Sequence, residues 1–290
     1  MDKSSVTTSA LHVSNIFDVS NKVAIVTGGG TGIGSMIART LASNGAKVYI
    51  ISRRLETLKD CIKSFEKDNM NHIGRLIALK GDVSGKVGVE EIKKKMEEIE
   101  PCLDLLINNA GITHKHPLRE PKTIESISKA MWAVEEDEAE SIYKTNVLGP
   151  YYLSAALLPL LGKSKSNPQI INISSVSSFM RSGSNTGLIY PMSKVALNHL
   201  TKILATELSG TNVRCNAICP GLFKSQMGDM LESQPELYSR ILKDIPAGRS
   251  GAEEEMAGAI LFLTSRHQSF VNGAIIPVDG SILGVKPGTY

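Results

Sequence analysis

The sequence predicts an α/β protein: a single-domain, doubly wound parallel sheet of about seven strands, with helices on both faces. Three observations carry this. Short apolar runs alternate with helix-length segments along 290 residues, the order that builds parallel β-α-β units. The runs are continuously apolar rather than alternating in polarity, as strands buried on both faces must be. The first run ends in a glycine cluster that opens a helix.

Element by element, residues 1–20 are polar and Ser/Thr-rich and are expected to form a loose arm, with residues 21–290 as the single domain. KVAIVTGGG is the first strand and KVYIIS the second. Between them, residues 32–43 place Ile33, Ile37 and Leu41 on one helical face. A helix is expected over 55–67. Further strands are expected at 76–83, 103–111, 169–175, 213–221 and 274–280, separated by helices at 86–99, 138–161, 189–209 and 253–265. No repeat and no linker divides the chain.

Composition excludes several classes. The hydrophobic share is 42%, enough for a full core. The net charge of +3 is too small to argue for a nucleic-acid partner, and the lysine run 93–95 reads as a solvated helix face. No apolar stretch approaches a membrane span. The first twenty residues resemble neither a secretion signal nor a transit peptide. Cys61, Cys102, Cys215 and Cys219 form no CxxC pair and the histidines are not clustered, so a reduced cytoplasmic protein without a metal site is expected.

Chemistry begins at Thr27-Gly28-Gly29-Gly30-Thr31-Gly32-Ile33-Gly34. Glycines between a strand and a helix let the backbone turn tightly and approach a pyrophosphate at the positive helix N-terminus, the Rossmann-type arrangement. The alternative is a plain glycine turn. The second strand ends at Ser52-Arg53-Arg54, where an NAD site would place Asp or Glu on the ribose 2′-hydroxyl. Guanidinium groups suit a 2′-phosphate, so the expected cofactor is NADP(H). The alternative is that both arginines simply begin a solvated helix.

These motifs, with others downstream, resemble the short-chain dehydrogenase/reductase family over about residues 20–280. TGGGTGIG is similar to its TGxxxGxG motif, Asn108-Asn109-Ala110-Gly111 to its NNAG, and Pro220-Gly221 to its PG turn. Asn146, Ser175, Tyr190 and Lys194 fall where the family keeps an Asn-Ser-Tyr-Lys tetrad. The opening NIFDVSNKVAIVTGG and the long helix over 189–209 resemble the ketoacyl reductases, including those linked to rhamnolipid synthesis. The resemblance implies that Gly28, Thr31, Gly32 and Ile33 line the pyrophosphate turn and that Asp82 and Val83 hold the adenine. It places Asn109, Ala110 and Gly111 beside the adenosine ribose. Pro220, Gly221 and Ser225 lie on the carboxamide side, Ser225 standing where the family usually has Thr.

Tyr190 and Lys194 are four apart on a predicted helix and so share a face, with Pro191 in its first turn. An adjacent ammonium and an oxidised nicotinamide are expected to lower the phenol's pKa toward neutrality, which fits acid–base work. The resemblance gives Lys194 the nicotinamide ribose, Asn146 a helix kink and a relay water, and Ser175 the substrate oxygen. Ser174, Ser177 and Ser178 compete with Ser175, and Ser177 would restore the family's usual, shorter interval to Tyr190. Ser175 is preferred for its place at the strand end. The expected reaction is hydride transfer between NADPH and a ketone, giving a secondary alcohol. The alternatives are an NADP(H)-binding sensor or scaffold and a non-redox biosynthetic enzyme.

Two segments are candidates for shaping the substrate site. Residues 222–247 carry Leu222, Phe223, Met227, Met230, Leu231, Leu237, Tyr238, Ile241 and Leu242, which suits an apolar lid over a medium-sized hydrophobic ketone, the alternative being that half of them only pack the lid onto the sheet. Residues 112–145 form a long loop with His114, His116, Trp132 and an acidic block at 135–138. The resemblance further implies a homo-oligomer, a tetramer or dimer, with Leu153, Ala155, Ala156, Ala196, Leu200 and Leu204 offering faces to a second subunit. The alternative is that these faces only cover the sheet.

Overall fold

The computed structural model describes residues 10–68, 73–114, 122–181, 187–224, 235–286 and 288. Seven parallel strands form one sheet: β1 Val23–Thr27, β2 Lys47–Ser52, β3 Arg75–Lys80, β4 Leu105–Asn108, β5 Gln169–Ile173, β6 Arg214–Pro220 and β7 Ile275–Val278, in the order β3-β2-β1-β4-β5-β6-β7. The order reverses between β1 and β4, and a crevice opens there beyond the carboxyl ends of the strands. The predicted sheet and its strand count match the structure. The strands are shorter than the apolar runs because backbone groups at their ends find other partners. The Leu103 amide donates to the Leu160 carbonyl, and the Asn109 amide to the Thr27 hydroxyl.

Helices α1 Val13–Ile16, α2 Gly32–Ser43, α3 Leu55–Asp68, α4 Lys86–Ile99, α5 Ile124–Trp132, α6 Glu136–Tyr143, α7 Gly149–Lys163, α8 Ile189–Glu207, α9 Pro235–Asp244 and α10 Glu253–Thr264 flank the sheet or its rim. Because side chains alternate across a strand, β1 serves both layers. Ala24 and Val26 pack with Ile37 and Leu41 of α2, Phe65 of α3 and Met256 and Ile260 of α10. Ile25 packs on the other side with Ile92 and Met96 of α4 and Leu157 and Leu161 of α7. The loose arm expected at 1–20 is tighter where described. It holds the turn α1, lodges Val19 fully in the core and pairs Asp18 with Arg266 at 3.0 Å.

The single helix expected over 138–161 is interrupted. A π-turn, Lys144–Leu148, joins α6 to α7. Pro150 has no N–H to give to the carbonyl four residues back, and a Cβ on Gly149 would press on the Val83 carbonyl at 2.6 Å. Such a wide turn often marks a functional position, and Asn146 sits at its centre.

Truncation at the sheet's centre tests this packing. Ile107 of β4 is fully buried between β1 and β5. Ile107→Ala is expected to lower unfolding stability by about 3 kcal/mol, read as a shifted urea midpoint at unchanged slope.

Candidate active site

The carboxyl ends of β1 and β4 are stitched by side chains. The Thr27 hydroxyl accepts the Asn109 and Ala110 amides, each at 3.0 Å, and the Asn109 side-chain amide donates to the Thr27 carbonyl at 2.8 Å. Gly28 and Gly32 take left-handed φ values of 65° and 51°, which glycine adopts without penalty. A Cβ on Gly28 would stand 3.0 Å from the Asn109 amide, and one on Gly34 would overlap that amide and the Gly28 carbonyl. The loop is therefore a cradle that only glycine fills. Thr31 caps α2 without a side-chain bond, so the first N–H groups of α2 are left for a ligand. Ile33, half-buried, follows in the first turn.

Around this cradle lie the other residues expected to touch the dinucleotide. Ser52 ends β2 and donates to the Arg54 carbonyl at 3.0 Å, with Arg53 and Arg54 exposed beside it. Asp82 accepts the Ser84 amide at 2.9 Å and Val83 is buried. Ala110 and Gly111 continue from Asn109, and a Cβ on Gly111 would lie 3.4 Å from Lys194 Nζ. Pro220 ends β6, and the Gly221 amide donates to the Val278 carbonyl at 2.9 Å. Ser225 lies outside the described residues.

The tetrad candidates converge on one corner. Lys194 Nζ donates to the Ile173 carbonyl at 2.9 Å and stands 5.7 Å from the Tyr190 ring centroid. Asn146, fully buried, accepts the Ile112 amide at 2.8 Å, donates back to the Ile112 carbonyl at 3.0 Å and donates to Ser193 Oγ at 3.0 Å. Ser175 lies two residues beyond the end of β5 and its hydroxyl accepts the Ser177 amide at 3.1 Å. The Ser175 hydroxyl also acts on the Tyr190 phenol, favouring its ionised form.

The downward shift expected for Tyr190 includes an oxidised nicotinamide; in the protein alone the balance is different. Burial pushes the phenol up to about 12, with the Ser175 hydroxyl opposing, and burial pulls Lys194 down to about 8. In the protein alone, loss of hydration outweighs a cation this far away. At neutral pH the phenol keeps its proton.

Sequence reasoning gave no role to Thr27, Asn108 or Ser193 and weighed Ser174 only as a competitor of Ser175. Asn108 donates to Asn172 at 2.9 Å and Ser154 at 3.2 Å, and Ser174 donates to the Lys194 carbonyl at 3.1 Å. Thr27 heads the glycine motif and Asn108 the NNAG motif, so both were visible in the patterns but carried no assigned role.

The flanking segments differ from their expectations. Where described, 112–145 is largely helical rather than a loop: α5 is closed by a Thr123–Ser126 capping box and followed by α6. His114 anchors to Ser141 at 3.2 Å and faces Glu138 at 3.7 Å, while Trp132 is 91% exposed. His116 lies outside the described residues, as do Met227, Met230 and Leu231. Leu222, Ile241 and Leu242 pack on Val176, Ile245 and Ile282, and Phe223 is buried against Gly251. Among the described residues no cluster of three His, Cys, Asp or Glu could hold a metal ion.

A glycine cradle at a sheet's switch point, beside a buried Tyr–Lys pair, defines a dinucleotide-binding oxidoreductase site. Comparisons place it more closely. The family model described as enoyl-(acyl carrier protein) reductase matches residues 28–282. The short-chain dehydrogenase/reductase PhomF of Diaporthe leptostromiformis is 36% identical over 99% of this chain and 100% of its own. A rhamnolipid-biosynthesis 3-oxoacyl acyl-carrier-protein reductase of Pseudomonas aeruginosa is 33% identical over 91% of this chain and 97% of its own. Among solved structures, the Pseudomonas aeruginosa RhlG/NADP active-site complex has a TM-score of 0.81 and 31% identity, covering 92% of this chain and 98% of that one. The chain belongs to the short-chain dehydrogenase/reductase family.

The buried lysine gives a pH signature. Below about pH 8 both folded and unfolded states carry the Lys194 proton, and the burial cost is full. From there to about pH 10.4 the unfolded chain binds more protons, so stability from this group rises with pH. Lys194→Met is expected to melt above the parent at pH 7, with the gap closing by pH 10 in thermal scans.

Proposed function

We propose that this enzyme is a carbonyl reductase that converts a small hydrophobic ketone, of the 3-oxoacyl or secondary-metabolite kind, to a secondary alcohol. Short-chain dehydrogenase/reductases with NADP in the site stand among its structural neighbours, and it is an NADP-dependent oxidoreductase acting on the CH–OH/C=O pair. The residues present fit that cofactor. A cradle which a Cβ would fill admits a pyrophosphate, and the end of β2 offers exposed arginines where a carboxylate would repel a 2′-phosphate. When bound, NADPH supplies the hydride. Gly28, Thr31, Gly32 and Ile33 hold the pyrophosphate, Ser52, Arg53 and Arg54 the ribose phosphate, and Asp82 and Val83 the adenine. Asn109, Ala110 and Gly111 take the adenosine ribose, while Pro220, Gly221 and Ser225 line the carboxamide side. Lys194 binds the nicotinamide ribose.

The observation that carries the reading is the buried Tyr190 flanked by Lys194, whose Nζ stands 5.7 Å from its ring, with Ser175 acting on the phenol. Ser175 orients the substrate oxygen, and Tyr190 donates the proton that turns it into a hydroxyl. Asn146 fixes the Ile112 turn and the wide helical turn beside them. A phenol titrating near 12 suits reduction at neutral pH, whereas alcohol oxidation needs the phenolate and so gains with alkalinity.

The oligomer faces are corrected in part. Leu153 is fully buried against the sheet. Ala155 is exposed as expected, with Leu148 and Tyr151 about α7 and Met192, Val195 and Ile203 of α8 exposed as well, and they support a homo-oligomer. Among the described residues no helix is long and apolar enough to cross a membrane, and four free thiols support a cytoplasmic setting.

Consumption of NADPH, followed at 340 nm with ethyl 3-oxohexanoate and other ketones, tests the activity. Tyr190→Phe is expected to lose about 10³-fold in turnover while NADPH binding, read by fluorescence, persists. Retained turnover would remove Tyr190 from the chemistry. Arg53→Ala is expected to weaken NADPH by about tenfold with NADH unaffected, measured as the ratio of KM values.

A further inference from the structure

Tyr190, Lys194 and Asn198 recur at four-residue intervals on one face of α8. The first two meet the crevice. The third is 8% exposed and reaches under the turn that carries Ser175. Its amide donates to Ser178 Oγ at 2.7 Å, and Ser178 Oγ in turn donates to the Ser175 carbonyl at 2.6 Å. On its other side Asn198 Oδ1 accepts the thiol of fully buried Cys219, at 3.6 Å from the end of β6. The chain of bonds runs from α8, through a short 3-10 turn at Val176–Ser178, to the last residue before that turn. Ser178 is 5% exposed, so none of these bonds is exchanged readily for water.

We propose that Asn198 is a positioning residue for the reduction, acting through Ser178 to fix the Ser175 hydroxyl against Tyr190. The inference rests on the reductase reading above. Ser175 Oγ accepts the Ser177 amide at 3.1 Å, which commits one lone pair and leaves the hydroxyl hydrogen directed away from the turn. That geometry holds only while the turn is closed. The Ser178 amide closes the turn on the Ser175 carbonyl at 3.0 Å, and Asn198 braces it from below by donating to the Ser178 hydroxyl, whose own hydrogen goes to the same carbonyl. Cys219 meets the other end of the amide, its thiol donating to Asn198 Oδ1 at 3.6 Å. One helical face thereby delivers the phenol, the ammonium and the support for the hydroxyl that the phenol meets.

The test compares Asn198→Ala, Ser178→Ala and the double variant with the native enzyme, using NADPH and ethyl 3-oxohexanoate. Each single variant is expected to lose about tenfold in kcat with the KM for NADPH unchanged, and the double variant to be no worse than the worse single one, as groups in one chain behave. Ser178→Thr, which keeps the hydroxyl, is expected to recover most of the rate. Unchanged kcat in the single variants, or losses that multiply in the double, would overturn the proposal. A crystal structure of Asn198→Ala decides independently of turnover. Ser175 Oγ displaced from the Ser177 amide supports the role, and an unmoved Ser175 refutes it. If the native enzyme reduces neither this ester nor the other ketones, the reductase reading fails, and the crystallographic arm still judges Asn198.

Discussion

The site depends on a seam. Where β1 and β4 part, nothing but the ends of two strands separates the cofactor crevice from the core. The Thr27 hydroxyl and the Asn109 amide close that gap with three bonds of 3.0 Å or less. Backbone groups left open there would be buried and unpaired, at about 1–3 kcal/mol each. Because the seam is closed by side chains rather than by ladder bonds, the glycine loop can turn away over it at Gly28 and bring α2 to the same edge.

Everything on the catalytic side extends from that edge by short polar links. Asn108 ties β4 to Asn172 of β5 and Asn172 to Thr201 of α8. Ser174 ties β5 to the Lys194 carbonyl. These bonds run through a dry interior, where a satisfied network is rigid and a broken one is expensive. They hold a phenol and an ammonium in a place where neither is comfortable charged, as the opposite shifts of Tyr190 and Lys194 show. Stability is given up at this corner so that a proton is held ready rather than shared with water.

Much of this was legible in the sequence. The sheet was visible because buried parallel strands are apolar on both faces. The cradle was visible because glycine has a distinct physical use at Gly28 and Gly32, and the Tyr190–Lys194 pair because a four-residue interval on a helix means one face. What stayed hidden was depth. Spacing placed an ammonium near a phenol but could not weigh it against dehydration, which in the protein alone raises Tyr190. Nor could periodicity tell the inward Leu153 from the outward Tyr151, since α7 is apolar nearly all round. The kink at Asn146 was expected only through the family resemblance, because periodicity alone reads one helix across Gly149-Pro150, and the bonds that anchor Asn146 go to Ile112, far off in sequence.

That bond has a wider meaning. Ile112 and Asn146 exchange two hydrogen bonds across 34 residues, knotting the chain at the base of everything between them. A segment drawn shut in this way can lengthen, shorten or change its character without disturbing what lies beneath the knot. Lineages carrying such a fold are free to remodel the rim toward new molecules while the reacting corner is inherited intact.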